Sequence, residues 1–147
     1  MVRAIGNRES PSGRVLDLCD RRVAVPLVSR PVIAEYRETL NDPQVVRFFP
    51  TLHPAKVEAQ IERLLYLGDR IRNMDVRFAF PRDPKDAKFI ELAIVGAAAA
   101  IVTCDHDLLA LSTGYDEVSK RFRRRLPLTH VVRPEVFLHW LNQPIVN

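Results

Sequence analysis

Arg82-Asp83-Pro84-Lys85-Asp86-Ala87-Lys88-Phe89 and, shortly after, Ile101-Val102-Thr103-Cys104-Asp105-His106-Asp107-Leu108-Leu109 decide the fold. The first stretch predicts a helix that begins among carboxylates. The second predicts a buried strand that ends among them. Both sets of acids stand where elements start or stop, so a parallel sheet can bring them to one edge. Carboxylates gathered there repel one another unless a cation lies between them, which points to a divalent metal site.

Outward from this pair, helical and strand-like patterns alternate. Ser12 to Asp20 suits a short helix with Val15, Leu16, Leu18 and Cys19 on one face. Val23 to Ser29 is a β-type run in which Pro26 would lose a ladder bond. Ser29 and Pro31 then mark a helix start, and that helix runs to about Leu40. Asn41-Asp42-Pro43 stops it and opens a shorter one. Pro54 opens a long amphipathic helix carrying Val57, Ile61, Leu64, Leu65 and Ile71.

Val76 to Phe80 is a short strand candidate, and Pro84 to Val95 a helix with Gly96 as its stop. Ala99 to Thr103 has the continuous apolar character of a buried parallel strand. Asp105 to Leu111 reads as a short helix, and Ser112 to Pro127 as a basic, irregular or frayed helical excursion. Thr129 to Val132 is a last strand, followed by a helix opened by Pro134. This alternation predicts an α/β fold with a mainly parallel sheet, as one domain over residues 1–147.

The composition fits a folded chain. A hydrophobic fraction of 47% with 27% charged residues excludes a disordered polyelectrolyte. No apolar run approaches the ~20 residues of a bilayer span, and the N-terminus lacks a signal-peptide core. Cys19 and Cys104 have no metal-type spacing, so a reducing cytoplasm is the expected compartment. The net charge of +4 is compatible with a polyanionic partner and falls short of a chromatin protein's.

Each acid has a structural reading beside the functional one. Asp83 before Pro84 is a good N-cap, and Asp86 a good first-turn acid. Asp86 nevertheless shares a helical stripe with Phe89, Ile90, Ala93 and Ile94, and an inward carboxylate is costly without a partner. Asp105 and Asp107 can cap the helix after the strand, or Asp105 can stand at the strand's carboxyl end as a ligand, with Asp107 assisting. Glu35 borders the face made by Val32, Tyr36 and Leu40. Glu35, Asp86 and Asp105, each from a different strand–helix junction, would suit Mg²⁺ or Mn²⁺.

These pieces, with Leu27-Val28-Ser29, Ala34-Glu35-Tyr36 and Val132-Arg133-Pro134-Glu135-Val136-Phe137-Leu138, resemble PIN-domain proteins. The branch is that of toxin components of toxin–antitoxin systems, related to VapC-like ribonucleases. The resemblance implies a Rossmann-like three-layer α/β/α fold and endonucleolytic cleavage, usually of RNA. It implies Glu35, Asp86 and Asp105 as catalytic, metal-holding acids and Asp107 as a secondary metal ligand. It also implies an antitoxin partner and a homodimer. The family opens with a buried strand ending in Asp-Thr-Asn, whose Asp is the first ligand. Met1-Val2-Arg3-Ala4-Ile5 instead looks like the helix that follows it. The expectation is therefore a PIN-like fold lacking its first, central strand, through a late start site or a truncated gene.

Two functions follow from the resemblance: a metal-dependent endoribonuclease, or a non-catalytic module that binds RNA or an antitoxin. Arg121-Phe122-Arg123-Arg124-Arg125 is the candidate contact to the nucleic-acid backbone, with a solvated loop or an antitoxin-facing surface as the alternative. His106 is a candidate proton shuttle, or incidental. Phe48, Phe49 and Leu52 suit either the core or an interface.

Overall fold

The computed structural model describes residues 1–142. The chain divides into two compact units, Met1–Arg72 and Asn73–Asn147.

The first unit opens with α1 (Val2–Gly6) and α2 (Pro11–Asp20). The Ser10 hydroxyl starts α2 by accepting from the Gly13 N–H at 3.1 Å. β1 (Leu27–Ser29) is shorter than the β-type run that contains it. Its last residue, Ser29, caps α3 (Arg30–Leu40) through a hydroxyl that accepts from the Val32 N–H at 3.4 Å. The Asp42 carboxylate likewise accepts from the Gln44 N–H at 2.8 Å, and starts α4 (Pro43–Phe48). α5 (Pro54–Leu67) then leads into β2 (Asp69–Ile71), which pairs in parallel with β1.

Ile71 therefore lies in a strand, not on the long helix expected to carry it. Gly68 explains the change. A Cβ at this position would lie 2.7 Å from the Pro26 carbonyl oxygen and 2.8 Å from that of Leu64. Only glycine lets the chain leave α5 this close to the entry of β1. The Asp69 N–H then donates to Pro26 O at 3.0 Å and sets the register.

The core of this unit gathers Ile5, Leu16, Val28, Ile33, Leu40, Leu52, Val57 and Ile61. The aromatic cluster divides: Leu52 is fully buried and Phe49 packs on the core, whereas Phe48 is 80% exposed. Burial pushes the Tyr36 phenol up to about 12.

An ion-pair network ties the connection between α1 and α2 to α5. Arg8 reaches Asp17 at 2.5 Å and Asp20 at 2.8 Å, and Arg63 meets Asp20 at 2.9 Å. Burial pulls the Asp20 carboxyl upward, but hydrogen bonds from Arg63 and Arg8 outweigh it and hold the group below the usual carboxylate range. A carboxylate depressed in the folded state stabilises above its unfolded value of about 3.9. That contribution is lost as pH falls through the depressed folded value. Asp20→Asn is expected to cost roughly 1 kcal/mol near neutral pH, because the pair is partly screened by solvent. The cost should fade in urea titrations run in strong acid; a cost that stays constant with pH would reject this account.

The second unit begins with an extended segment in place of the strand expected at Val76–Phe80. Its alternation is real, with Phe78 and Phe80 buried and Arg77 and Ala79 exposed. The ladder is absent because the Phe78 N–H donates to the Glu91 carboxylate at 3.1 Å, not to a neighbouring strand. A 3-10 turn at Pro84–Asp86 leads into α6 (Ala87–Gly96). β3 (Ala100–Val102), α7 (His106–Leu109), α8 (Glu117–Arg125), β4 (His130–Val132) and α9 (Pro134–Leu141) complete the described chain.

β3 and β4 are parallel, with Ile101 opposite Val131. The His130 N–H donates to Ala99 O at 3.1 Å, and the Thr103 N–H to Val132 O at 2.9 Å. The core of this unit gathers Phe78, Phe80, Ile90, Leu108, Leu111, Phe122, Leu126 and Val131.

The α/β class with parallel strands stands as expected, but the pairing is less extensive. Among the described residues the strands form two separate two-stranded ladders, β1–β2 and β3–β4. None of these strands carries a second ladder, which is what a continuous sheet needs. β3 is accordingly half-buried along its length, not the fully buried strand its apolar run suggests. The basic stretch is also more regular than expected: Glu117–Arg125 is one helix, held by Ser119 and Phe122 on its buried side.

Gly96 is the last helical residue of α6, and the left-handed turn falls one residue later, on Ala97 at φ 49°. The Ala98 N–H closes the helix end onto Ala93 O at 3.0 Å. Alanine in this region is strained, so Ala97→Gly should raise the unfolding free energy by roughly 0.5–1 kcal/mol. An unchanged or lowered midpoint in urea would contradict the assignment.

Candidate functional site

The four acids divide between the units. Glu35 lies in α3, half-buried beside the buried Val32. Asp86, Asp105 and Asp107 belong to the second unit.

Asp83 and Asp86 separate cleanly into a cap and a non-cap. The Asp83 carboxylate accepts from the Lys85 N–H at 3.1 Å and starts the 3-10 turn. Asp86 ends the 3-10 turn and stands at the N-cap of α6, but makes no side-chain capping hydrogen bond there. It is half-buried, on the stripe that continues into the buried Ile90 and Ala93. Capping therefore accounts for Asp83 and not for Asp86.

Asp105 stands three residues past the carboxyl end of β3. Its backbone N–H donates to the Thr103 hydroxyl at 3.0 Å, and its Oδ1 accepts from the Leu108 N–H at 3.0 Å, capping α7. One carboxylate oxygen is thus committed to the helix, while the residue is exposed. Asp107 lies in the first turn of α7, with Arg82 Nη1 at 3.7 Å from its Oδ1. Both partners are about half exposed, so this pair is weak, but it gives Asp107 a cation other than a metal. His106 is exposed at the same helix start.

Carboxylate oxygens are the right donors for Mg²⁺ or Mn²⁺. Among the described residues, however, no three His, Cys, Asp or Glu side chains gather as a metal-binding group. The described acids do not by themselves fit a complete dication centre.

A second feature of the Asn73–Asn147 unit carries opposite charge. Arg77, Phe78, Ala79, Ile94, Arg121 and Arg125 line a cleft of about 350 Å³. The basic stretch was legible as a phosphate-binding candidate, but Arg77 was not. Its signal was the alternation of Val76 to Phe80, which turns Arg77 outward as it turns Phe78 inward.

The sequence matches the PIN domain family over residues 1–107, so the chain belongs to that family. PIN domains are generally nucleases, usually with a divalent metal. Neither the curated proteins nor the solved structures provide a match. No helix among the described residues is long and apolar enough to cross a membrane.

Proposed function

We propose that this chain is an endoribonuclease of the PIN family, using Mg²⁺ or Mn²⁺, and the toxin of a toxin–antitoxin pair. Glu35, Asp86 and Asp105 are its catalytic and metal-holding acids, with Asp107 secondary. The observation that carries the reading is the span of the family match, which takes in all four. Asp86 adds support, since its half-buried side chain makes no capping hydrogen bond at the start of α6.

The test is cleavage of a labelled single-stranded RNA with Mg²⁺ or Mn²⁺, and again with EDTA. Cleavage should require the metal, and Glu35→Gln should lower it by at least tenfold. Metal-independent cleavage, or cleavage indifferent to Glu35, would reject the assignment.

The alternative is a module that binds RNA or an antitoxin without cutting. The observations favouring it are the absence of an acid trio among the described residues and the Arg82–Asp107 pair. It predicts measurable binding with no cleavage at any metal concentration. In either reading the exposed Phe48 is a contact for an antitoxin or for a second copy in a homodimer. Phe48→Ser should weaken that association without altering the fold, as read by sedimentation.

A further inference from the structure

The five basic side chains of α8 do different jobs. Arg123 is structural: its Nη1 donates to Leu111 O at 3.0 Å and its Nη2 to Gly114 O at 2.7 Å. Lys120 pairs with Glu117 at 3.6 Å. Arg124 is exposed and does not line the cleft. Arg121 and Arg125 line the cleft together with Arg77, from the extended segment before α6.

Arg121 is held in place. Its Nη2 donates to Ala79 O at 2.6 Å, and its guanidinium carbon lies 4.9 Å from the centroid of the Phe78 ring. Phe78 is fixed in turn, buried edge-on against Phe122 at 6.4 Å and tied through its N–H to Glu91. Arg121 therefore presents a pre-positioned guanidinium on the exposed side. Arg77 spends Nη1 on Met74 O at 2.7 Å and Val76 O at 3.1 Å, which leaves Nε and Nη2 without a protein partner among the described residues. The Arg125 side chain makes no hydrogen bond or ion pair among the described residues. No carboxylate lines the cleft; Glu91, a turn before Ile94, is engaged with the Phe78 backbone. Three like charges around one concavity, none compensated, call for an anion.

We infer that this cleft binds a phosphodiester of single-stranded RNA. Arg77 and Arg125 grip the phosphate, and Arg121 offers a flat face for the adjoining unstacked base. The volume is at the lower end of the roughly 300–1,000 Å³ of small-molecule sites, which suits about one nucleotide and not a duplex. The proposed function is used only to choose RNA among polyanions; none of the four acids lines the cleft.

The experiment measures anisotropy of a labelled single-stranded oligoribonucleotide of about ten nucleotides. It is done in EDTA and in an Asp86→Asn background, so that cleavage plays no part. Arg77→Ala/Arg125→Ala should weaken binding at least tenfold and reduce the salt slope by about 0.7, since the two side chains grip one phosphate and each neutralised phosphate on a single strand contributes about 0.7. Lys120→Ala/Arg124→Ala removes the same charge from α8 positions outside the cleft and should cost less than threefold. Arg121→Ala should weaken the single strand more than a duplex of the same sequence. Inorganic phosphate at matched ionic strength should not displace the RNA.

Equal losses in the two double variants, no loss in the cleft variant, displacement by phosphate alone, or no binding by the unmodified chain would each overturn the site. Absence of cleavage by the unmodified chain with Mg²⁺ or Mn²⁺, with this binding pattern intact, rejects the nuclease reading alone. Cleavage with the pattern absent rejects the cleft alone.

Discussion

Phe122→Ala should destabilise the protein by about 3–5 kcal/mol, the largest stability effect expected of any single substitution here. Phe122 is 1% exposed and the largest of the fully buried side chains. Its ring meets Phe78 edge-on and shares a core with Ile90, Leu108, Leu111 and Leu126. Truncation removes the ring's transfer free energy and leaves a cavity that neighbours from several elements cannot collapse to fill. In a chain of this size the midpoint of thermal unfolding should fall by roughly 10 °C or more. Phe122→Leu keeps most of the volume and should cost less than about 1.5 kcal/mol. Because Phe78 also carries Arg121, Phe122→Ala should loosen RNA binding at temperatures where the variant is still folded. A loss below about 1 kcal/mol in Phe122→Ala would mean that the basic helix is not anchored as described.

The same helix shows where the sequence was hard to read. Glu117 to Arg125 has only Val118 and Phe122 as apolar residues, so its periodicity is thin and its charge dominates. The helix is specified by what the charges surround: Ser119 and Phe122 sit on one face, and the Ser119 hydroxyl bonds both the Asp116 carboxylate and Ala110 O. The Ser119 hydrogen bond also holds the Asp116 carboxyl below its usual range. Such long-range partners leave no trace in a window of sequence. Caps, by contrast, are local, and Ser29, Asp42, Asp83 and Asp105 all accept hydrogen bonds at helix starts.

Strands were legible as alternation but not as ladders. Val76 to Phe80 has the period of a strand and spends a backbone donor on Glu91. Asp69 to Ile71 has no such period and pairs with β1 because Gly68 lets it approach. Register depends on a partner far off in the chain, as Asp69 is for Leu27, whereas side-chain alternation belongs to the segment itself. The site follows the same division. That Asp105 follows a strand and that Asp86 lies on a half-buried stripe are local facts. Which acids share a cation is a tertiary fact, and Arg82 beside Asp107 is an example the spacing did not disclose.

Asp86→Asn is the sharpest test of the assigned chemistry, since it changes one charge and almost no volume. Under the nuclease reading, cleavage of single-stranded RNA should fall about a hundredfold or more, equivalent to about 2.7 kcal/mol of transition-state stabilisation. Stability should change by less than about 1 kcal/mol, because asparagine keeps the side chain's volume and an oxygen acceptor. Asp83→Ala supplies the converse. It removes the acceptor for the Lys85 N–H and should cost about 1 kcal/mol of stability while leaving cleavage nearly intact. Two acids three residues apart would then separate into a helix cap and a catalytic group, which a general loss of folding cannot mimic. Equal cleavage by Asp86→Asn and the unmodified chain would remove Asp86 from the chemistry. Loss of activity in both variants, in proportion to lost stability, would reduce both acids to helix starts and leave the binding module as the function.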